Sequence, residues 1–410
     1  MDIYLVGGAV RDRLLGLPVG ERDYVVVGGS PEELIGHGFR PVGRDFPVFL
    51  HPETGEEYAL ARTERKKGMG HHDFSFETGH AVSLVDDLAR RDLTINAIAE
   101  NAQGELIDPY GGRADLAARV LRHVSPAFVE DPLRVLRVAR FAARFHDLGF
   151  TLAPETRDLM AEIVRRGELQ TLTPERVWQE LRRALQTTHP AIFMMTLRRV
   201  GALPIVLPEL EALFGVPQET ALHPEIDTGE HVLIALEQSA RIDPDPVVGY
   251  AVLAHDLGKA ETPRALWPTH PGHAVSGARL SRALSTRLRV PGEFRLTAEL
   301  TARWHLEAHR ALDQSPDELA AWIRELPYRT REQNLHQFLK ACEADFRGRP
   351  GYESSPYPQR PFLEALLSAL RAIRLEPAEY DWPLAEKKKQ LDRRLAETLR
   401  HVRARFAPGS

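Results

Sequence analysis

Strand signals crowd into the first 110 residues of this chain and all but stop there. Ile3 to Val6 is an apolar run closed by Gly7-Gly8, and Tyr24 to Val27 is a β-branched run closed by Gly28-Gly29, so both read as short strands. Val10 to Leu15 between them has helical spacing. Pro47 to His51 and Glu57 to Arg62 read as a pair joined by the turn residues Pro52 to Gly55. Ile95 to Ala99 and Leu106 to Pro109 complete a small sheet. Lys66 to His80, rich in Gly, His and polar residues, reads as a mobile loop. After Gly111-Gly112, from about Leu116, the pattern is helical, and prolines such as Pro154, Pro174, Pro204, Pro246 and Pro291 cut it into short helices. The fold class that follows is α+β: a sheet-bearing head, then a long all-helical body. The expected divisions are 1–110 for the head, 111–225 for a helical neck and body, 226–330 for a histidine-rich helical unit and 331–410 for a helical tail. The Gly- and Pro-rich stretch 345–362 reads as the linker to that tail. At ~150 residues per domain, a chain of this length can bury about three cores.

No apolar run approaches the ~18 residues a membrane helix needs, which excludes an integral helical membrane protein. The N-terminus has no basic leader, so a signal peptide is not expected. The single cysteine, Cys342, excludes a disulfide framework and a thiolate zinc cluster. It reads as a small buried hydrophobe in a protein of the reducing cytoplasm. The net charge is −5, yet it is uneven: residues 111–200 hold 15 Arg, no Lys and 10 acids, and residues 381–406 hold 8 Lys and Arg against 4 acids. Basic blocks in an acidic background suit a polyanionic partner held at defined places, although solvated helix faces and an Arg-rich composition would also produce them.

Four local features converge on phosphate chemistry. Leu5 to Asp12 runs strand, glycine pair, helix start; Gly8 lets the backbone approach a phosphate and Arg11 adds a cation. Glu21-Arg22-Asp23 enters the second strand with both carboxylates on one face, where a hard cation such as Mg²⁺ with oxygen ligands would hold them together. Such a pair can lower the pKa of an attacking hydroxyl and hold a triphosphate in line. Arg90-Arg91-Asp92 offers Arg91 to phosphate, with Asp92 to orient it. In Glu130 to Phe141, the residues Arg134, Arg137, Arg140 and Arg144 share one arc of a helix while Leu133, Leu136 and Phe141 pack the other side. Like charges on one face cost stability, and an anion seated there would offset that cost. Taken singly, each feature is also what an ordinary strand end, ion pair or solvated helix would show.

Together with HPEIDTGEHVL at 223–233 and AHDLGK at 254–259, the segments LVGGAVRD, ERDYVVVG, RRDLTINA and EDPLRVLRVARF make the chain resemble, over nearly its whole length, the bacterial CCA-adding tRNA nucleotidyltransferases that carry a C-terminal HD domain. The resemblance implies a polymerase-beta-like nucleotidyltransferase head and a helical body containing an HD domain. It implies an enzyme that adds or repairs the 3′-terminal CCA of tRNA from CTP and ATP without a nucleic-acid template. On that resemblance Glu21 and Asp23 hold Mg²⁺; Gly8, Arg11, Arg91, Arg137 and Arg140 contact the nucleotide phosphates; Asp131 and Arg134 read the base. Relatives often have Asp where this chain has Glu21, and both bind Mg²⁺. Glu57, on the neighbouring strand, is a candidate third carboxylate. The implied partners are tRNA, ATP and CTP, with no membrane, and the chain acts as a monomer or weak homodimer. Rival readings are a poly(A) polymerase or partial CCA-adding enzyme, an HD phosphohydrolase whose head binds a nucleotide, and a non-catalytic tRNA-binding protein.

The unit at 226–330 adds a second candidate centre. His231, His255 and Asp256 offer nitrogen and oxygen ligands suited to Ni²⁺, Co²⁺ or Mn²⁺, and such a centre could hydrolyse phosphomonoesters or phosphodiesters. His270 and His309 read as surface or packed residues. The HD pattern needs a further acid, expected directly after His305. Leu306 stands there, which predicts weak metal binding and a weakened phosphohydrolase.

Overall fold

The computed structural model describes residues 1–42, 48–66, 74–78, 82–220 and 223–406, in two compact units: 1–180 with 195–206, and 181–194 with 207–406. The first holds a seven-stranded mixed sheet built from β1 (Asp2–Val6), β2 (Asp23–Val27), β3 (Arg40–Val42), β4 (Val48–Leu50), β5 (Glu57–Leu60), β8 (Ala99–Glu100) and β9 (Leu106–Ile107). Their order is β3-β4-β5-β2-β1-β8-β9. β6 (Arg62–Lys66) and β7 (Phe74–Thr78) pair antiparallel as a separate ladder.

Side chains alternate along β2, and the alternation sorts two cores. Val26 packs with Leu34, Phe39, Phe49, Tyr58 and Leu60 on one face, while Val25 packs with Val6, Ala61, Val82, Leu84 and Leu88 on the other. Asp23, two residues before Val25, therefore lies on the second face. That face is covered by the Leu84–Ala89 helix, whose start is fixed by a capping box on Ser83.

The expected strands at 3–6, 24–27, 47–51 and 57–62 correspond to β1, β2, β4 and β5. Two expectations do not hold. Ile95 to Ala99 is mostly a 3-10 turn, Thr94–Asn96, and only Ala99 enters the sheet. The segment read as a loop over 66–80 contains β7 and the end of β6; residues 67–73 and 79–81 of that reading lie outside the described residues. The helical body also keeps one short parallel ladder, Val120–Leu121 with Thr151–Leu152.

The second unit is helical. Pro246–Ala254 is buried at every residue after its proline, as its unbroken apolar sequence requires. The segment 331–410 is continuous with this unit: Leu335, Phe338 and Cys342 pack with Leu366, Leu395, Leu399 and Val402 in one core. Cys342 is fully buried, as expected. The linker reading at 345–362 begins too early, since residue 345 lies inside the Glu332–Arg347 helix. No described helix is long and apolar enough to cross a membrane.

One glycine governs how closely this unit packs. A Cβ on Gly258 would stand 2.0 Å from the His273 carbonyl oxygen and 2.6 Å from the Gly277 amide nitrogen. Both contacts are backbone, so the His273–Arg287 helix itself would have to move. Gly258→Ala is expected to cost about 1–3 kcal/mol through overpacking, read as a lower melting temperature. Gly20→Ala, where a Cβ meets nothing within 4 Å, is the control and should melt like the parent.

Candidate active site and histidine cluster

The antiparallel register of β1 and β2 pairs Val6 with Asp23, so the Gly7-Gly8 turn leaves β1 beside the start of β2. The parallel register of β2 and β5 pairs Asp23 with Glu57, and directly opposed residues of parallel strands project to the same face. Glu21 lies two residues ahead of β2 and close enough to act on Asp23: burial raises the Asp23 carboxyl above its ordinary range, Arg91 draws it down, and Glu21 pushes it up again. The Arg91 guanidinium crosses the turn. A Cβ on Gly7, which sits at φ +69°, would be 2.8 Å from Arg91 Nη1, so a side chain there is excluded by both backbone and space. Glycine turn, Arg91, Asp23, Glu21 and Glu57 thus gather at one end of the sheet. Their oxygen-only donors fit Mg²⁺, and the mutual crowding that raises Asp23 is what a bound cation would relieve.

The expected arginine arc is real, but protein groups already face it. On the Leu133–Arg144 helix, Arg137 Nε donates to Asp92 Oδ2 at 2.8 Å, Arg140 Nε to Glu180 Oε2 at 2.6 Å and Arg144 Nη2 to Asp12 Oδ2 at 2.9 Å. Arg134 donates to the backbone carbonyls of Ala127 and Arg90. The charge cluster is therefore offset inside the protein, and no outside anion is required to explain it. Arg11 is equally engaged. It is 3% exposed, donates to Asp12 Oδ1 at 2.8 Å and Asn96 Oδ1 at 2.5 Å, and stacks over Phe141 and Phe145.

Asp92 ties these motifs together. Its Oδ1 accepts from the Leu93 amide and from Asn96 Nδ2, both at 2.8 Å, and its Oδ2 accepts from Arg137. Burial opposes its ionisation, but the Arg137 charge, those hydrogen bonds and the nearby Arg134 hold it well below the carboxylate range. Asp92 thus orients Arg137 and Asn96, where the sequence pointed to Arg91. Asp131 Oδ1 accepts from the Leu133 amide at 3.0 Å and its Oδ2 from Arg176 at 2.8 Å. Asn96, Glu180 and Arg176 were not singled out in the sequence. Asn96 lay within the RRDLTINA segment and Arg176 within a basic block, and Glu180 had no local signal at all.

In the second unit the structure brings His231, His255 and Asp256 together and adds partners from far along the chain. His231 Nε2 and His255 Nε2 lie 3.0 and 3.5 Å from Asp345 Oδ1. Asp345 is the acid that was sought at position 306. Leu306 is 41% exposed, so a carboxylate there would face solvent. His309, read as a surface or packed residue, approaches Asp345 Oδ2 at 2.8 Å through Nε2 while its Nδ1 meets the Tyr357 hydroxyl at 2.9 Å. His270 is buried against the Pro217 carbonyl. Burial alone would keep His255 neutral, but the Asp256 and Asp345 carboxylates raise it to about 10. Two buried carboxylates thus demand a positive charge between them. His255 Nε2 and Asp256 Oδ1 are buried without a hydrogen-bond partner, so the residues present fit a cation with mixed nitrogen and oxygen ligands.

Residues 3–122 match the family described as the poly A polymerase head domain, and residues 149–214 match one described as the probable RNA and SrmB-binding site of polymerase A. The head is accordingly a polymerase-beta-like nucleotidyltransferase fold. Among solved structures, that of the Bacillus stearothermophilus CCA-adding enzyme in complex with CTP superposes with a TM-score of 0.64, at 23% identity over 98% of this chain and 89% of that one. A tRNA nucleotidyltransferase complexed with a primer tRNA and an incoming ATP analog gives a TM-score of 0.54, at 24% identity over 84% and 91%. Much nearer in sequence are the multifunctional CCA proteins of Alkalilimnicola ehrlichii, 58% identical over 92% of this chain and 91% of that protein, and of Vibrio cholerae, 56% identical over 90% and 92%. With more than half its residues shared along nine-tenths of its length, this chain belongs to the family of multifunctional CCA proteins.

Proposed function

We propose that the chain adds or repairs the 3′-terminal CCA of tRNA from CTP and ATP in the cytoplasm, without a nucleic-acid template, as a monomer or weak homodimer. The observation that carries this reading is the register placing Asp23 beside both the glycine turn and Glu57, with Glu21 and Arg91 at the same sheet end. Glu21 and Asp23 would hold Mg²⁺, which when bound lowers the pKa of the attacking hydroxyl and screens the triphosphate. The tRNA 3′ oxygen then bonds to the α-phosphorus of the nucleotide as the bond to pyrophosphate breaks. Gly8 and Arg91 receive the phosphates at the turn. Arg11, Arg137 and Arg140 add positive charge from positions set by Asp12, Asn96, Asp92 and Glu180.

Base choice is assigned to Asp131 and Arg134. Cytosine and adenine each offer an amino donor beside a ring-nitrogen acceptor, so one carboxylate and one guanidinium serve both. Uracil and guanine present a carbonyl where the amino group is needed and would leave site groups unpaired. Arg176 on Asp131, and the two carbonyls on Arg134, hold that pair still. The histidine cluster is assigned a second activity, hydrolysis of phosphomonoesters or cyclic phosphodiesters with Ni²⁺, Co²⁺ or Mn²⁺. His231, His255, Asp256 and Asp345 would be the ligands.

Asp23→Asn and Glu21→Gln are expected to reduce CCA addition to background in a labelled-CTP and -ATP assay while tRNA binding persists, because metal chemistry and RNA docking use different residues. Retained addition in both would refute the carboxylate site. Asp131→Ala should lower discrimination against UTP and GTP by at least about tenfold, and Arg176→Ala should shift it the same way by less. Unchanged nucleotide ratios would place base reading elsewhere. Asp345→Asn should abolish Ni²⁺-dependent hydrolysis of a 2′,3′-cyclic nucleotide and leave CCA addition intact. Leu306→Asp should alter neither, since that side chain points to solvent.

A further inference from the structure

We propose that the histidine cluster holds two divalent cations, the second bound by Asp256, His273 and His305. This rests on reading the cluster as a metal centre and extends it. Six donors fall into two trios, His231 with His255 and Asp345, and Asp256 with His273 and His305, and within each trio all donor atoms lie within 4.8 Å of one another. In the second trio His273 Nε2 and His305 Nε2 stand 3.5 and 3.7 Å from Asp256 Oδ1, and 3.5 Å from each other. Donors about 2.1 Å from one cation, at tetrahedral or octahedral angles, are spaced about 3.0–3.4 Å apart. The observed triangle needs to contract by only a few tenths of an ångström.

The hydrogen bonds aim these donors inward. His273 Nδ1 bonds the His270 carbonyl at 2.8 Å, and His305 Nδ1 bonds the Thr301 carbonyl at 3.0 Å. Each backbone carbonyl can only accept, so Nδ1 carries the proton and Nε2 presents its lone pair. Asp256 is 1% exposed; Lys259 donates to its Oδ2 at 2.6 Å, and its buried Oδ1 has no hydrogen-bond partner. Three lone pairs thus converge in a buried space with no proton donor assigned to them, a costly arrangement unless a cation joins them.

Asp256 also links the trios. Its Oδ2 lies 3.2 Å from His255 Nε2, and its Oδ1 faces His273 and His305. A carboxylate shared this way suits two cations spaced as in two-metal phosphoesterase sites, about 3.5–4 Å apart, where they clamp a phosphate between them. Two imidazoles with one carboxylate select a transition metal over Mg²⁺.

The test counts metal in the tag-free full-length chain carrying Asp23→Asn, so that the head contributes none. The protein is stripped with chelator, reloaded with Mn²⁺, gel-filtered and analysed by elemental mass spectrometry and electron paramagnetic resonance. The expected result is two equivalents and the spectrum of an exchange-coupled pair. His273→Gln or His305→Gln should each bind one equivalent with an isolated-ion spectrum. A parent that saturates at one uncoupled equivalent, or variants that bind as much as the parent or lose all metal together, overturns the second site. A parent that binds none overturns the metal-centre reading as well. The spectrum of the parent decides the matter even if a variant fails to fold.

Discussion

The first unit is organised around a carboxylate that cannot reach water. Asp92 is buried and ionised, so every lone pair it carries has to be met by protein. Arg137 meets one oxygen, and Asn96 with the Leu93 amide meets the other. Asn96 in turn accepts from Arg11, which stacks on the phenyl rings of the Leu133–Arg144 helix. Removing one partner of such a buried pair costs about 3–5 kcal/mol because the other is left uncompensated. The glycine turn, the RRD segment and the arginine helix are therefore not separate phosphate-binding pieces. They are one hydrogen-bonded body, and the position of each cation is set by an acid behind it.

The same physics recurs in the second unit with a different outcome. There too buried carboxylates, Asp256 and Asp345, are held ionised, but the surrounding cations do not use up their oxygens. Lys259 takes one oxygen of Asp256 and His309 one of Asp345, and the remaining oxygens look toward imidazole nitrogens. Arginines meeting acids one to one make a rigid scaffold in the head. Histidines aiming lone pairs at half-satisfied acids make a ligand set. Gly258 brings the His273–Arg287 helix within reach of that set, since any side chain there would collide with the helix backbone.

Much of the head was legible from local pattern. Apolar runs closed by glycine pairs mark β1 and β2, and the 3.6-residue spacing of Arg134, Arg137 and Arg140 marks their helix. What lies opposite those arginines was not legible. Glu180 and Asp12 are 40 and 132 residues away from the arginines they meet, and nothing in their own neighbourhoods distinguishes them from solvated acids. Hence an arc of cations that invited an outside anion turned out to be matched from within. β7 was missed for a different reason: glycine and histidine around it outweighed the alternation of Phe74-Ser75-Phe76-Glu77-Thr78.

By itself the sequence determined where the sheet ends, which strand presents the carboxylate pair, and that His255-Asp256 stands at the end of a wholly buried helix. These are consequences of periodicity and of residue types within a few positions of each other. Only the tertiary structure decided that Glu57 stands beside Asp23, because strand register is settled between elements. Only it decided that Asp345 completes the histidine cluster. The glycines and prolines that follow at 348–361 made residue 345 look like the start of a linker, whereas the Glu332–Arg347 helix carries it into the interior. A carboxylate's role there depends on which lone pairs and charges surround it after packing, and packing joins residues that local spacing along the chain cannot relate.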